Sequence, residues 1–375
     1  MKKSLLILLF TCWALFFAAF RPVMPFAAET AAFPDGTPVT GGRILMGTIG
    51  EPSNLIPYMA SDSASGEITG LLYVAPLKYD KDLNVVPWAA ASYEVLEGGR
   101  LLRFVLRDDI RWEDGVPLTA DDVEFTYKLM IDPKTPTAYS GDFLAIESFK
   151  KTGRLSFEVR YAKPFARSLM TWMGAILPKH VLEGQDIMTT PVARKPIGAG
   201  PYRLAKWDAG SMLTLTASDT YFEGRPNLDE VVYRIIPDPS TMFLELKAGK
   251  LDMMSLSPQQ YLRQTQGPQW ERDWRKYRYL SFSYTFLGFN LEHPFFKDVR
   301  VRRAISMAID RQSLIDGVLL GQGVPTVGPY KPGTWAYNDK LTPVRQDVDE
   351  ARRLLDEAGW KKNKDGLLER DGKPF

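Results

Sequence analysis

The spacing of hydrophobic and polar positions changes period several times along the chain. Short apolar runs at 43–49, Leu101 to Leu106, Leu155 to Tyr161, Met212 to Thr216 and Val231 to Ile236 read as strands. Gly, Pro, Asn and Asp punctuate the intervals, notably between Glu51 and Pro57 and at Asp114-Gly115. Helical spacing appears at Val123, Phe125, Tyr127 and Met130. Thr119 is predicted to cap that helix with Asp122 three positions on, and Pro133 and Pro136 end it. Asp298 opens a second helix through Asp310, with Val301, Ile305, Ala308 and Ile309 on its apolar face and Arg300, Arg302 and Arg303 opposite. Asp347 with Glu350 opens a third, carrying Ala351, Leu354, Leu355 and Ala358 and stopped by Gly359. Strands mixed with helices, without a strict βαβ rhythm, predict α/β or α+β lobes.

The two ends carry different patterns. Lys2 and Lys3 precede an uncharged apolar run of sixteen residues from Leu5 to Phe20, which Arg21 breaks. That is the form of a secretory signal peptide, assigned to residues 1–28, with cleavage expected near Ala27 to Ala32. The run is shorter than the roughly 20 residues a spanning helix needs, so retention as an anchor is the lesser alternative. Residues 29–41, rich in Ala, Pro, Thr and Gly, read as a linker. At the other end, Leu367 to Arg370 reads as a strand and Asp371-Gly372 as a tight hairpin turn. The returning strand is expected to be missing beyond Phe375, which predicts an unpaired hairpin arm and a truncated chain.

Composition then removes function classes. The 375 residues suffice for two or three domains, and 45% hydrophobic with 25% charged residues is ordinary for a folded soluble protein. Lys plus Arg number 47 against 45 Asp plus Glu, which gives no electrostatic footprint for nucleic acid. His180 and His293 are the only histidines, and Cys12, inside the apolar run, is the only cysteine. A multi-histidine metal centre, a His-based triad, a cysteine nucleophile and a disulfide framework are therefore not expected. Gly198-Ala199-Gly200-Pro201 is glycine-rich, but Pro201 removes an amide donor where a phosphate cradle needs one, and a tight turn is predicted instead. No spacing singles out a carboxylate pair, so no catalytic residue, metal ligand or cofactor is expected and a periplasmic hydrolase is a remote alternative. Arg272 to Tyr279 interleaves cations with aromatics; a half-buried strand is preferred to a single-strand nucleic-acid surface. Tyr58, Trp88, Trp112, Tyr139, Trp172, Trp207 and Trp335 stand near turns. Rings on loops can enclose a ligand, although most are expected in the core.

Several long motifs share one resemblance. Trp112 to Tyr127 (WEDGVPLTADDVEFTY), Pro196 to Tyr202 (PIGAGPY), Tyr221 to Leu228 (YFEGRPNL), Gly288 to Arg311 and Ala351 to Trp360 (ARRLLDEAGW) resemble, in order, the family 5 extracellular solute-binding proteins, the oligopeptide and dipeptide receptors of ABC importers. The resemblance implies an α/β, two-lobed periplasmic-binding-protein type II fold closing by a hinge, with an extra subdomain in lobe I and a truncation within lobe II. It places lobe I at 42–80 and 196–286, the extra subdomain at 81–195 and a partial lobe II at 287–375. In similar receptors the acidic residue that holds the ligand's amino group lies beyond Phe375. The ligand-facing positions implied here are Ser61, Asp62, Ser63 and Tyr139. The implied partners are a short peptide and an ABC permease in the cytoplasmic membrane, with a monomeric, exported, periplasmic or extracytoplasmic protein and no nucleic acid. A nonpeptide solute such as a metal chelate or a sugar, or a nonfunctional fragment, are the alternatives.

Overall fold

The computed structural model describes residues 38–375. The segment read as a signal peptide and most of the stretch read as a linker lie outside the described residues. Those described divide into two compact units at Leu256/Ser257.

The N-terminal unit runs, in order, through β1 (Arg43–Thr48), α1 (Ser63–Leu72), β2 (Leu77–Tyr79), β3 (Val85–Pro87), β4 (Ala90–Leu96), β5 (Leu101–Leu106), α2 (Ala120–Ile131), α3 (Ser140–Leu144), β6 (Ile146–Lys151), β7 (Ser156–Tyr161), α4 (Ser168–Thr171), α5 (Lys179–Leu182), β8 (Tyr202–Asp208), β9 (Met212–Ala217), β10 (Glu230–Ile235) and α6 (Pro239–Lys247). One sheet has the order β1-β10-β9-β8, and only its β1–β10 pair is parallel. A second, fully antiparallel, has the order β4-β5-β7-β6. Alternation builds the core: Leu102, Phe104 and Leu106 of β5 and Phe157, Val159 and Tyr161 of β7 are buried while Arg103 points out. Phe104 stacks on Phe157 with centroids 4.8 Å apart, and Trp172 leans on both. Trp112 and Trp172 are thus core side chains, not loop-borne ligand contacts.

Helix α2 starts as its sequence predicts. Thr119 and Asp122 form a capping box, and the buried Asp122 carboxylate also accepts the Lys179 amide at 3.0 Å. Burial pushes that carboxyl upward against these bonds. Thr126 Oγ1 accepts the Leu177 amide, so α2 fixes the segment running back from Lys179. Where a tight turn was expected, Gly198 to Gly200 form no hydrogen-bonded turn, and neither glycine has a positive φ. They let the chain press on the end of α1, where Gly200 N–H donates to Leu72 O at 2.8 Å.

The C-terminal unit contains α7 (Pro268–Asp273), α8 (Val299–Ala308), α9 (Arg311–Gly317), α10 (Val348–Glu357) and a three-stranded sheet of β11 (Lys361–Lys362), β12 (Leu368–Arg370) and β13 (Lys373–Pro374). Helices α8 and α10 pack together with Ala304 against Ala351 and Leu354, while Val301 packs with Ala358 and Trp360. The apolar face of α8 therefore shifts to Ala304, while Ala308 is exposed. Trp360 is fully buried, edge-on to Phe295 and Phe375. Two sequence expectations fail here. Arg272 to Tyr279 is no strand: α7 ends at Asp273 and the rest belongs to no described strand and is largely exposed. The hairpin arm is not left alone, because β12 pairs with β11 and with the returning β13 across Asp371 (φ 53) and Gly372 (φ 73). Two successive positive-φ residues are what a two-residue turn matched to strand twist requires.

Candidate functional site

The N-terminal unit holds a cleft of about 360 Å³, in the range of small-ligand sites. Helix α1 forms one wall. Asp62 caps it: Oδ1 accepts the Ser65 amide at 2.7 Å, and Oδ2 accepts Ser53 Oγ at 2.5 Å and Ser65 Oγ at 2.8 Å. Burial works to raise the Asp62 carboxyl, but the bonds from Ser53 and Ser65 outweigh it and hold the group below its ordinary value. Ser65 Oγ accepts the amides of Ser53 and Asn54, which staples the preceding loop to the first helical turn. Beyond Ser65, the helix presents Gly66, Thr69 and Gly70 to the cleft, and a Cβ added at either glycine would meet nothing within 4 Å.

Tyr58 forms the opposite wall. Its φ is 74°, a conformation rare and strained for a bulky side chain. Three contacts hold it there. The hydroxyl donates to Ala175 O at 2.8 Å, Thr137 Oγ1 donates to Tyr58 O at 2.8 Å, and the ring meets Tyr139 and Phe143 edge-on at 6.1 and 6.0 Å. Gly174 is required beneath it, since a Cβ there would fall 2.2 Å from the Tyr58 hydroxyl. The segment carrying Gly174 is stitched in place by Leu77 N–H to Trp172 O and Ile176 N–H to Val74 O. Trp88 completes the aromatic lining, its backbone N–H bonded to Pro76 O.

Of the positions expected to face ligand, Tyr139 lines the cleft, is half-exposed, and sits 3.5 Å from Ala60 O through its hydroxyl. Ser61 and Ser63 are exposed beside the Asp62 cap, and none of these three lines the cleft. The other aromatics read near turns part company: Trp207 lies in β8 and donates to Glu51 at 2.7 Å under the Arg194 guanidinium, and Trp335 is exposed in the C-terminal unit. His180 pairs with Asp114 at 2.7 Å, and His293 accepts the Phe295 amide. Among the described residues no group of three or more His, Cys, Asp or Glu could hold a metal ion. No helix among them is long and apolar enough to cross a membrane.

Sequence reasoning passed over Glu113. Burial, opposed by Arg203 and reinforced by Asp114, pushes its carboxyl up to about 7. An acid raised in the folded state holds more protons folded than unfolded between about 4.5 and 7, so stability falls as pH climbs through that window and levels off above it. Glu113→Gln is expected to flatten this fall. The group is partly exposed, which limits the gain at pH 8 to the order of 1 kcal/mol. Thermal midpoints at pH 5 and pH 8 measure it, and an unchanged difference between them contradicts the assignment.

Comparisons with known proteins fit this architecture. The family of bacterial extracellular solute-binding proteins, family 5 Middle, matches residues 84–375. The oligopeptide-binding protein AppA of Bacillus subtilis is 33% identical over 349 residues, covering 91% of this chain, and the chain spans 64% of its length. The structure of AppA from Bacillus subtilis in complex with a nonapeptide matches with a TM-score of 0.82 at 32% identity, over 90% of this chain and 68% of that one. NikZ from Campylobacter jejuni in complex with Ni(L-His) matches with a TM-score of 0.78 at 28% identity, over 88% and 66%. The α/β periplasmic-binding-protein type II class expected from the sequence is thus the fold found. The chain belongs to the bacterial extracellular solute-binding proteins, family 5.

Proposed function

We propose that this protein is an exported, monomeric receptor that captures short peptides and hands them to an ABC permease in the cytoplasmic membrane. The observation that carries the reading is the likeness to AppA, whose structure holds a nonapeptide, together with an aromatic-walled cleft in the N-terminal unit. In this reading the cleft accepts part of the ligand, Tyr139 touches it, and Ser61 and Ser63 flank the entrance that the Asp62 cap holds in place. Backbone hydrogen bonds to an extended ligand give affinity without demanding one sequence. The protein binds and releases without chemical change. The likeness to NikZ favours a second reading, a small metal chelate.

Native mass spectrometry of the chain after incubation with a mixed pool of short peptides and nickel–histidine separates these readings. Adducts at the masses of intact peptides are expected. Cleaved peptides would make it a hydrolase, a nickel–histidine adduct alone would establish the second reading, and no adduct would contradict both receptor readings.

A further inference from the structure

The lining of the cleft carries no charged side chain, and most of its polar atoms are already engaged. Thr69 Oγ1 donates to Ser65 O, Tyr58 OH to Ala175 O, and Ser65 Oγ is shared among Asp62, Ser53 and Asn54. A carboxylate or ammonium entering here loses its water without gaining a countercharge, whereas an apolar group gains ring contact at no such cost.

Trp88 is a ring of this lining whose indole N–H is held from outside it. Its Nε1 donates to Tyr221 OH at 3.0 Å and to Glu223 Oε2 at 3.2 Å. Tyr221 OH donates to the same Oε2 at 2.5 Å, and Lys78 Nζ sits 2.7 Å from Glu223 Oε1 and 5.3 Å from the centre of the Trp88 ring. One carboxylate thus gathers the indole N–H, a phenol and an ammonium. Its residue lies in the Tyr221 to Leu228 loop, outside the cleft lining.

We infer that the cleft selects an uncharged apolar side chain of the ligand, that Trp88 is the selecting wall, and that Glu223 is the residue that positions Trp88. This rests on the peptide-receptor reading above. Discrimination then comes from rejection of charge as much as from attraction of apolar surface.

The test uses three nonapeptide pools on an alanine–glycine frame, each with one Leu, one Glu or one Lys scanned through every position, titrated into the whole chain by calorimetry. The Leu pool is expected to bind about 10-fold more tightly than either charged pool. Glu223→Ala and Trp88→Ala are expected to narrow that ratio to less than about 3-fold, while Glu223→Gln, which keeps an acceptor for the indole N–H, retains most of it. A merely structural role for Glu223 would lower the affinity for all pools together and leave the ratio intact. Equal binding of the three pools by the unaltered chain overturns the inference and leaves the receptor reading standing. An unchanged ratio in the Glu223→Ala and Trp88→Ala chains overturns the assigned roles. Binding of none of the pools removes the peptide reading and this inference with it.

Discussion

Replacing Gly198 by Ala is expected to lower the thermal midpoint of the N-terminal unit by about 10 °C. The new Cβ would lie 2.0 Å from Leu72 O and 2.9 Å from Leu72 C. These are backbone atoms at the end of α1, where Leu72 is buried, so no side-chain rotation relieves the overlap. Retreat of the segment would break the Glu113 N–H bond to Gly198 O at 2.9 Å and the Gly200 N–H bond to Leu72 O at 2.8 Å. Overpacking of this kind costs roughly 3 kcal/mol, out of the 5 to 15 that hold a typical domain. For a unit of this size about 3 kcal/mol corresponds to the stated shift. Gly66→Ala is the control, because its Cβ points into open space on a helix and Ala is the better helix former. Circular dichroism melting compares the two variants. Equal midpoints would show that the Gly198 contact does not govern stability.

The second large effect is on binding. Gly174→Ala sets a methyl 2.2 Å from the Tyr58 hydroxyl and 3.1 Å from ring atoms. Tyr58 can yield only toward the cleft, with φ already at 74° and its ring against Tyr139 and Phe143. Accommodating the methyl means breaking the hydroxyl bond to Ala175 O and swinging the ring into the cleft. A ligand group that shares the cleft then loses its place, and an affinity loss of about 10-fold is expected, the upper end of the roughly 0.5 to 1.5 kcal/mol that an aromatic contact is worth. The fold should survive, because the ring has the open side of the cleft to enter.

What the sequence disclosed follows from locality. The capping box of Thr119 and Asp122, the Asp347 cap and the Gly359 stop are short-range devices, and all stand where spacing placed them. Strands with strict alternation, such as Ser156–Tyr161, were equally legible. Errors came where a distant segment decides the outcome. Gly198 and Gly200 answer to Leu71 and Leu72, more than a hundred residues away, and nothing local distinguishes close approach from a turn. The aromatic run after Arg272 has strand composition, yet no described strand pairs with it. Lys373–Pro374 is too short to register as a strand by pattern.

The site was less legible than the fold. Tyr139 stood out through the family resemblance and Trp88 only as one among many aromatics, and Asp62 reveals its capping role through Ser53 and Ser65. One signal was present and unused: Gly66 and Gly70, four residues apart within a helix, weaken it and make sense where that helical face must stay open. The Trp88–Glu223 bond spans 135 positions and leaves no trace in spacing.

The most direct measurement is a paired calorimetric titration of a neutral nonapeptide pool into the unaltered chain and into the Gly174→Ala chain, with melting curves run beside each. Saturable heat from the unaltered chain, and an affinity lower by about 10-fold in a variant that still melts cooperatively, is the predicted result. No heat from the folded unaltered chain, or equal affinity in both, would contradict the assignment of this cleft as the site of a peptide receptor.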